Sequence, residues 1–163
     1  MNAGAYDGEL SQVVTKTTYC DKDGNIFEVV GNEHAFAYRH SFFSDKDYII
    51  LSTIIQLNSG DKTSILERMR ELNKRRADKQ PLNFPSAGST FKRPEGYFAA
   101  KLIDDCGLRG VKIGDAQISE KHCGFIVNTG NATADDVKRL ISLCQDKVYE
   151  KFGVRIEPEI KFL

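Results

Sequence analysis

Alternation of apolar and polar residues, interrupted by turn-forming residues, predicts three strands in the first third of the chain. Residues 13–20 are rich in β-branched side chains, residues 21–24 (Asp-Lys-Asp-Gly) form a hairpin-type turn, and residues 25–30 return as a second strand. Residues 48–57 form a third, mostly apolar strand that ends at Asn-Ser-Gly. We therefore expect a hairpin and one further strand here.

A helix is predicted after these strands. Ser64 and Glu67 have the spacing of a capping box, and the helix would end near Arg76 with one apolar face formed by Ile65, Leu66, Met69 and Leu72. Three strands and one helix leave an apolar sheet face uncovered, because such a face is buried only against a second layer. The first part of the chain is therefore expected to need a partner surface.

The middle of the chain has a different pattern. Residues 79–94 contain three prolines and almost no periodicity, which predicts a linker that runs into a functional loop. A short helix follows and is expected to end at Gly107, because glycine suits the position after a helix. Two or three short strands are predicted between residues 111 and 127.

A long helix and a last strand complete the pattern. Thr133 and Asp136 have capping-box spacing, Gly153 is the predicted end, and one helix face carries Val137, Leu140, Ile141, Cys144 and Val148. Residues 154–163 are predicted as the final strand. The fold class is α+β, in two unequal parts: residues 1–79 and residues 80–163, of which the second could fold alone.

Charge and composition narrow the function. Lysine plus arginine and aspartate plus glutamate number 23 each, so no overall field attracts nucleic acid or an acidic membrane. Because the sequence shows neither an apolar run of membrane-spanning length nor a signal sequence, we expect no membrane partner and a cytoplasmic location. The four cysteines lack metal-like spacing with one another or with the histidines, so free structural thiols and no metal are expected.

The segment 85–94 (Pro-Ser-Ala-Gly-Ser-Thr-Phe-Lys-Arg-Pro) is the first candidate site. Small residues allow close approach of a ligand, hydroxyls offer donors, and Lys92 with Arg93 supply positive charge for a phosphate or carboxylate. A serine–glycine turn with two solvated cations explains the same residues equally well.

Three further groups carry possible chemistry. The basic run before the loop, which includes Arg76, is either a solvated helix end or part of a diphosphate clamp. Arg39, beside Tyr38 and several phenylalanines, is either a stacked structural arginine or a fork for a carboxylate. Glu159 lies opposite the apolar positions of the last predicted strand, and alternation favours solvent exposure.

Several blocks in sequence order resemble one enzyme family. They are Met-Asn-Ala-Gly-Ala-Tyr-x-Gly-Glu at 1–9, Tyr-Arg-x-Ser at 38–41, the segment 85–94, Leu-Ile-Asp-Asp-Cys-Gly-Leu-Arg-Gly at 102–110, Ser-Glu-Lys-His-Cys-Gly-Phe-Ile-Val-Asn at 119–128, Ala-Thr-Ala-Asp-Asp-Val at 132–137 and Glu-Pro-Glu-Ile at 157–160. Together they resemble UDP-N-acetylenolpyruvoylglucosamine reductase, in the second of the two types of that family.

The resemblance implies reduction of the enolpyruvyl ether of UDP-N-acetylglucosamine to UDP-N-acetylmuramate, a step of peptidoglycan precursor synthesis, with NADPH and bound FAD. It implies that Ser89 donates a proton to carbon, while Arg39 and Glu159 polarise the carboxylate and stabilise the enol form. It further implies substrate contacts from Tyr38, Arg76, Lys92, Arg93 and His122, and flavin contacts from Asn2, Ala3, Gly4 and Ala5.

The resemblance also implies that a flavin lobe precedes the Asn-Ala-Gly-Ala-Tyr block. Residues 1–79 are then the remnant of a flavin-binding α+β domain, and residues 80–163 are a substrate-binding domain. We expect this chain alone to be inactive and to retain FAD poorly. A non-catalytic UDP-sugar-binding module, or a gene remnant that self-associates through its uncovered sheet, are the alternatives.

Overall fold

The computed structural model describes residues 1–162 and divides the chain into two compact units, Met1–Leu72 and Asn73–Leu163. Both units combine helices with antiparallel sheets, so the fold class is α+β, as predicted. The predicted boundary at residue 80 differs from this division by seven residues and stays a prediction.

The first unit contains two small sheets. A short hairpin pairs β1 (Gly4–Ala5) with β2 (Gly8–Glu9). The main sheet has the order β4 (Ile26–Val30), β3 (Val14–Cys20), β5 (Ile49–Ile55), with every pair antiparallel. These are the three strands that the alternation predicted, each shortened at one or both ends.

One face of this sheet carries an aromatic cluster. Tyr19 is buried on β3, and its ring lies within 6 Å of four others, those of Phe27, Phe42, Phe43 and Tyr48. Aromatic pairs at such separations stabilise by roughly 1 kcal/mol beyond the area they bury. The edge strand β5 has no comparable cover: all seven of its residues are exposed, and Ile49 retains 63 % of its accessible surface.

Helix α1 (Lys62–Lys79) differs from its prediction at both ends. Asp61, not Ser64, caps the helix, because the Asp61 carboxylate accepts hydrogen bonds from the Ser64 backbone N–H at 2.8 Å and from its hydroxyl at 3.0 Å. No residue of the helix is buried, and its apolar side chains Ile65, Leu66 and Met69 are exposed.

The second unit is built on a four-stranded antiparallel sheet. Its order is β6 (Ser86–Ser89), β9 (Phe125–Asn128), β8 (Ala116–Ile118) and β7 (Lys112–Ile113). The three short strands after residue 111 confirm the prediction. Strand β6 corrects it, because the residues predicted as linker and loop pair with β9 through Ser86↔Val127 and Ser89↔Phe125. A strand of serine, alanine and glycine has no apolar signal, so only its partner reveals it.

Two helices complete the core of this unit. Helices α2 (Ala99–Asp105) and α3 (Ala134–Phe152) contribute Ile103, Leu140, Ile141, Cys144 and Val148, which pack with Ile118 and Ile156. The α3 capping box is as predicted: the Thr133 hydroxyl accepts from the Asp136 N–H, and Asp136 accepts from the Thr133 N–H. Gly153 ends the helix at φ +67°.

The predicted last strand is wrong for residues 154–162, which form only a single bridge between Phe91 and Pro158. The pairing consists of the Lys92 N–H on the Glu157 carbonyl and the Glu159 N–H on the Thr90 carbonyl, so Pro158 faces Phe91 in a non-hydrogen-bonded pair that needs no N–H from it. Leu163, the final residue of that prediction, lies outside the described residues. No helix within residues 1–162 is both long enough and apolar enough to cross a bilayer.

Candidate active site

Ser89 lies at the exposed end of strand β6. The strand register shifts between Ser86 and Ser89, and Gly88 in between has φ +85°. Residues with a Cβ rarely adopt this conformation, so the glycine permits the bulge that precedes Ser89. The predicted loop is thus a bulged edge strand that presents the serine hydroxyl at the surface.

Thr90 joins Ser89 to Glu159. The Thr90 side chain is buried, and its hydroxyl accepts a hydrogen bond from the Ile126 N–H at 3.1 Å. The Thr90 N–H donates to the Gly124 carbonyl, and the Thr90 carbonyl accepts from the Glu159 N–H, both at 2.8 Å. Serine and glutamate therefore lie on adjoining backbone, and Glu159 is half-buried rather than exposed as alternation favoured.

Lys92 and Arg93 already have partners. The Lys92 ammonium lies 3.1 Å from the Glu157 carboxylate in an exposed ion pair. The Arg93 guanidinium lies over the Phe98 ring, 4.1 Å from its centroid. An aromatic ring stabilises a guanidinium through its face, and Lys92 would have to leave Glu157 to bind an anion.

His122 is half-buried, with its ring edge against Phe125 at a centroid distance of 5.1 Å. The Gly124 N–H donates to His122 Nδ1 at 3.1 Å. A neutral ring with Nδ1 as acceptor carries its proton on Nε2, so the free nitrogen is a donor. Burial lowers the pKa of His122, and the positive charge of Arg109 lowers it further, which favours this neutral form.

Arg76 lies near the end of α1, where it is exposed. The next residue, Ala77, accepts a hydrogen bond from the Lys121 ammonium at 2.6 Å. Since Lys121 immediately precedes His122, the structure ties the helix end that carries Arg76 to the segment that carries the histidine. The sequence alone gave no sign of this link.

Tyr38 and Arg39 belong to the first unit, where they occupy a two-residue turn. Ala37 and His40 exchange both backbone hydrogen bonds, at 3.2 and 3.1 Å, and Arg39 has φ +53°. The Arg39 guanidinium lies 5.0 Å from the centroid of the Tyr38 ring. A residue with a Cβ in the left-handed region is held there at a cost, and such residues cluster at functional sites.

The predicted flavin contacts, Asn2 to Ala5, lie in the small hairpin of the first unit. Asn2 is buried, and its side chain is engaged by Glu9 at 2.7 Å and by the Ser11 N–H at 2.9 Å. A Cβ on Gly4 would lie 2.9 Å from the Glu9 side chain, so the paired strand requires this glycine. Ala3 and Ala5 are exposed and small, so the edge of a planar ring could approach them.

A cleft of about 650 Å³ also lies in the second unit, lined in part by Phe84, Gln117 and Lys121. Ser89, Arg93 and His122 are not among its lining residues. Within residues 1–162, no three histidine, cysteine, aspartate or glutamate side chains are arranged to hold a metal ion. All four cysteines are free thiols.

Comparison with known proteins identifies the family. Residues 80–163 match the family described as UDP-N-acetylenolpyruvoylglucosamine reductase, C-terminal domain. The chain belongs to the UDP-N-acetylenolpyruvoylglucosamine reductase family. Over all 163 residues it is 53 % identical to reductases of that name from Caldanaerobacter subterraneus subsp. tengcongensis and Agathobacter rectalis, and 51 % identical to that of Clostridium botulinum.

The chain spans about half the length of the curated reductases it matches: 54, 52 and 53 % of these three. A solved structure, the UDP-N-acetylenolpyruvylglucosamine reductase of Thermus caldophilus, superposes with a TM-score of 0.83 at 35 % identity. That likeness covers 99 % of this chain and 57 % of the Thermus chain. This chain therefore shares the fold of the matched part of the Thermus reductase.

Proposed function

We propose that this chain supplies the substrate-binding part of a reductase that converts UDP-N-acetylenolpyruvoylglucosamine to UDP-N-acetylmuramate, with NADPH and FAD as cofactors. The observation that supports the proposal most is that Ser89 and Glu159 lie on adjoining backbone, which the buried Thr90 joins. Two cations, Lys92 and Arg93, follow Ser89 in the sequence. The family supports the same reaction.

Reduction of an enolpyruvyl double bond needs a hydride at one carbon and a proton at the other. FAD supplies the hydride when it is bound and reduced by NADPH. The proton then goes to the carbon beside the carboxylate, and the Ser89 hydroxyl is its donor in our proposal. Serine is a weak acid, so it donates readily only to a strongly basic carbon or next to positive charge.

The negative charge that develops on the substrate carboxylate during this step needs stabilisation. Arg39 has the fork geometry to bind a carboxylate through two hydrogen bonds, which a lysine cannot match. The half-buried Glu159 stabilises the enol form from the segment beside Ser89. Both roles are proposals that extend the family relationship to these positions.

The nucleotide end of the substrate requires anion contacts. We assign the diphosphate to Arg76 and Arg93, with Lys92 in support once it leaves Glu157. Tyr38 and His122 complete the substrate contacts, and the His122 ring offers an Nε2–H donor to an acceptor oxygen. Neutral His122 supplies direction rather than charge.

The residues present fit only one edge of a flavin. Asn2 and Gly4 are used within the hairpin, while exposed Ala3 and Ala5 leave room for a ring to approach. We therefore propose that the chain alone neither retains FAD nor turns over, and that it acts in the cytoplasm together with the half of the reductase that it does not match.

Binding and turnover can be tested separately. Calorimetry with the enolpyruvyl substrate should show saturable binding to the whole chain, weakened about tenfold or more by Arg93→Ala, the loss expected for a charge-assisted contact. Arg139→Ala, an equal loss of charge on the exposed face of α3, is the matched control and should bind as wild type. Absence of heat in every variant would contradict substrate binding.

Turnover is tested by NADPH oxidation with added FAD and substrate. We expect no substrate-dependent oxidation by the chain alone, and robust oxidation would contradict the proposed need for the other half.

Self-association is a second candidate, favoured by strand β5, all seven residues of which are exposed. A second copy could cover this apolar edge, because an unpaired edge strand pairs readily with another chain. Sedimentation should then show a concentration-dependent dimer that Ile54→Lys converts to monomer. A monomer at every concentration would contradict it.

A further inference from the structure

The segment 119–124 is held by an arginine–aspartate clamp that none of the predicted roles explains. Arg109 Nε lies 2.9 Å from Asp104 Oδ1, and Arg109 Nη2 lies 2.6 Å from Asp104 Oδ2, so the carboxylate at the end of α2 is bound bidentately. Arg109 Nη1 donates to the Glu120 backbone carbonyl. One guanidinium therefore connects helix α2 with the segment that carries His122.

The aspartate holds the segment a second time. The Cys123 thiol donates to Asp104 Oδ1 at 3.6 Å, on the other side of His122 from Glu120. Burial raises the pKa of Cys123 to about 11, so the sulfur keeps its proton and remains a donor. The hydrogen bonds from Arg109 hold the pKa of Asp104 below its usual value, so the carboxylate stays charged.

The segment passes this constraint to the ring. The buried Ser119 hydroxyl accepts from the Lys121 and His122 N–H groups at 3.2 and 3.3 Å, and the His122 carbonyl accepts from the Phe125 N–H. Next, the Gly124 N–H fixes His122 Nδ1 as the acceptor. Ring direction and tautomer are therefore set by a backbone that the clamp holds at both ends.

The same segment contacts two other predicted site regions. The Gly124 carbonyl accepts from the Thr90 N–H, directly after Ser89, and Lys121 donates to Ala77, directly after Arg76. From these contacts we infer that Asp104 and Arg109 are positioning residues for sugar-nucleotide binding, acting through the segment 119–124 and its histidine. The inference rests on the proposed function for the identity of the ligand.

A plain surface ion pair is the competing explanation. The Arg109 and Asp104 side chains retain 44 % and 41 % of their accessible surface, and exposed pairs contribute little to global stability. A clamp differs from such a pair because its loss changes the local order of segment 119–124 and the tautomer of the His122 ring. Both can be measured in the whole chain without any ligand.

The experiment compares Asp104→Asn and Arg109→Lys with Lys101→Gln. The first keeps the shape of the side chain and loses the charge, whereas the second keeps the charge and loses the fork. The control breaks an exposed ion pair on the same helix, between Lys101 and Asp105 at 3.0 Å. If one clamp variant does not fold, as judged by circular dichroism, the other carries the test.

Nitrogen NMR of the His122 ring and amide exchange of residues 119–124 are the first measurements. The wild type and the control should show the Nε2–H tautomer, whereas the clamp variants should show a tautomer mixture and amide exchange about tenfold faster, as expected for the loss of one or two hydrogen bonds. Wild-type tautomer and exchange in both clamp variants would overturn the inference.

Calorimetry with UDP-N-acetylglucosamine then tests the link to the ligand. A fall in affinity of about fivefold or more in the clamp variants, with the control unchanged, supports a positioning role. Unchanged affinity despite a displaced ring overturns it. If the wild type binds no sugar nucleotide, the proposed function fails and with it the ligand role, while the NMR result still decides whether the clamp orders the ring.

Discussion

The two compact units differ in how much of their apolar surface they bury. In the second unit, Ile103, Ile118 and Leu140 are completely buried, and both of its helices contribute to one core. In the first unit, β5 is exposed along its whole length, and the part of α1 that belongs to this unit, residues 62–72, has no buried residue. Similar shares of apolar residues thus give a closed core in one region and an open surface in the other.

This difference indicates which part of the chain can fold without a partner. A domain is stable when the apolar area it buries outweighs the conformational entropy lost on folding, and the two terms nearly cancel. In the second unit the sheet packs against α2 and α3, whereas the first unit has strand β5 and the first part of α1 with exposed apolar side chains. We therefore place the independent folding unit in the second half and a surface that requires a partner in the first.

Expressing the two units as separate polypeptides should give the largest difference in stability between them. Residues 73–163 alone should unfold in one cooperative urea transition, while residues 1–72 alone should show no cooperative transition by circular dichroism. The shorter piece 80–163 tests the predicted boundary, because it loses Ala77 and its bond to Lys121. Cooperative unfolding of the first piece would contradict the comparison.

Equal truncations in the two regions should have unequal costs. Ile103→Ala removes a completely buried side chain and should lower the free energy of unfolding by about 2–5 kcal/mol. Ile54→Ala removes the same atoms from a side chain that is 52 % exposed, and should change stability by about 0.5 kcal/mol or less. Urea titration measures both, and similar losses would count against an open first unit.

Substitutions at the N-termini of α1 and α3 should also differ in their cost to stability, by a smaller amount. Thr133→Ala removes the cap of α3 and should cost about 1 kcal/mol, because the N–H of Asp136 loses its acceptor. Ser64→Ala, at the position predicted as the other cap, should have an effect below about 0.5 kcal/mol, since Asp61 remains to cap α1. A larger loss at Ser64 would contradict the assignment of the cap.

Acid should lower the free energy of unfolding of the second unit through His122. This is the smallest of the expected effects. Its folded-state pKa is depressed, so the unfolded chain binds more protons near pH 6 and stability rises with pH. This contribution is present above the unfolded pKa of about 6.5 and is lost as pH falls through the lower folded value. His122→Asn should flatten stability against pH in this window, and an unchanged slope would contradict the depressed pKa.

Local patterns predicted the elements well but not their partners. The hairpin, both later helices and the short strands follow from alternation, capping spacing and Gly153, all of which are local signals. Strand β6 has no large apolar residue to mark it, and residues 154–162 contain apolar residues but form no strand ladder. In both cases the deciding hydrogen bonds join segments far apart in sequence.

The same limit applies to the candidate site. Resemblance pointed to Ser89, Glu159 and His122 one by one, but Thr90 as the link between the first two, and Gly124 as the group that fixes the ring, depend on the folded backbone. Asp104 and Arg109 stood within a recognised block, yet nothing in the sequence indicated that they contact Glu120 and Cys123.

Turnover by a completed enzyme tests the central claim most directly. The half of the Caldanaerobacter reductase that this chain does not match can be joined to it in one polypeptide and assayed for substrate-dependent NADPH oxidation with FAD. We predict turnover by this fusion, none by the chain alone, and a loss of about 100-fold or more with Ser89→Ala, the scale of a lost proton donor. Turnover by the fusion that Ser89→Ala leaves unchanged would contradict the account.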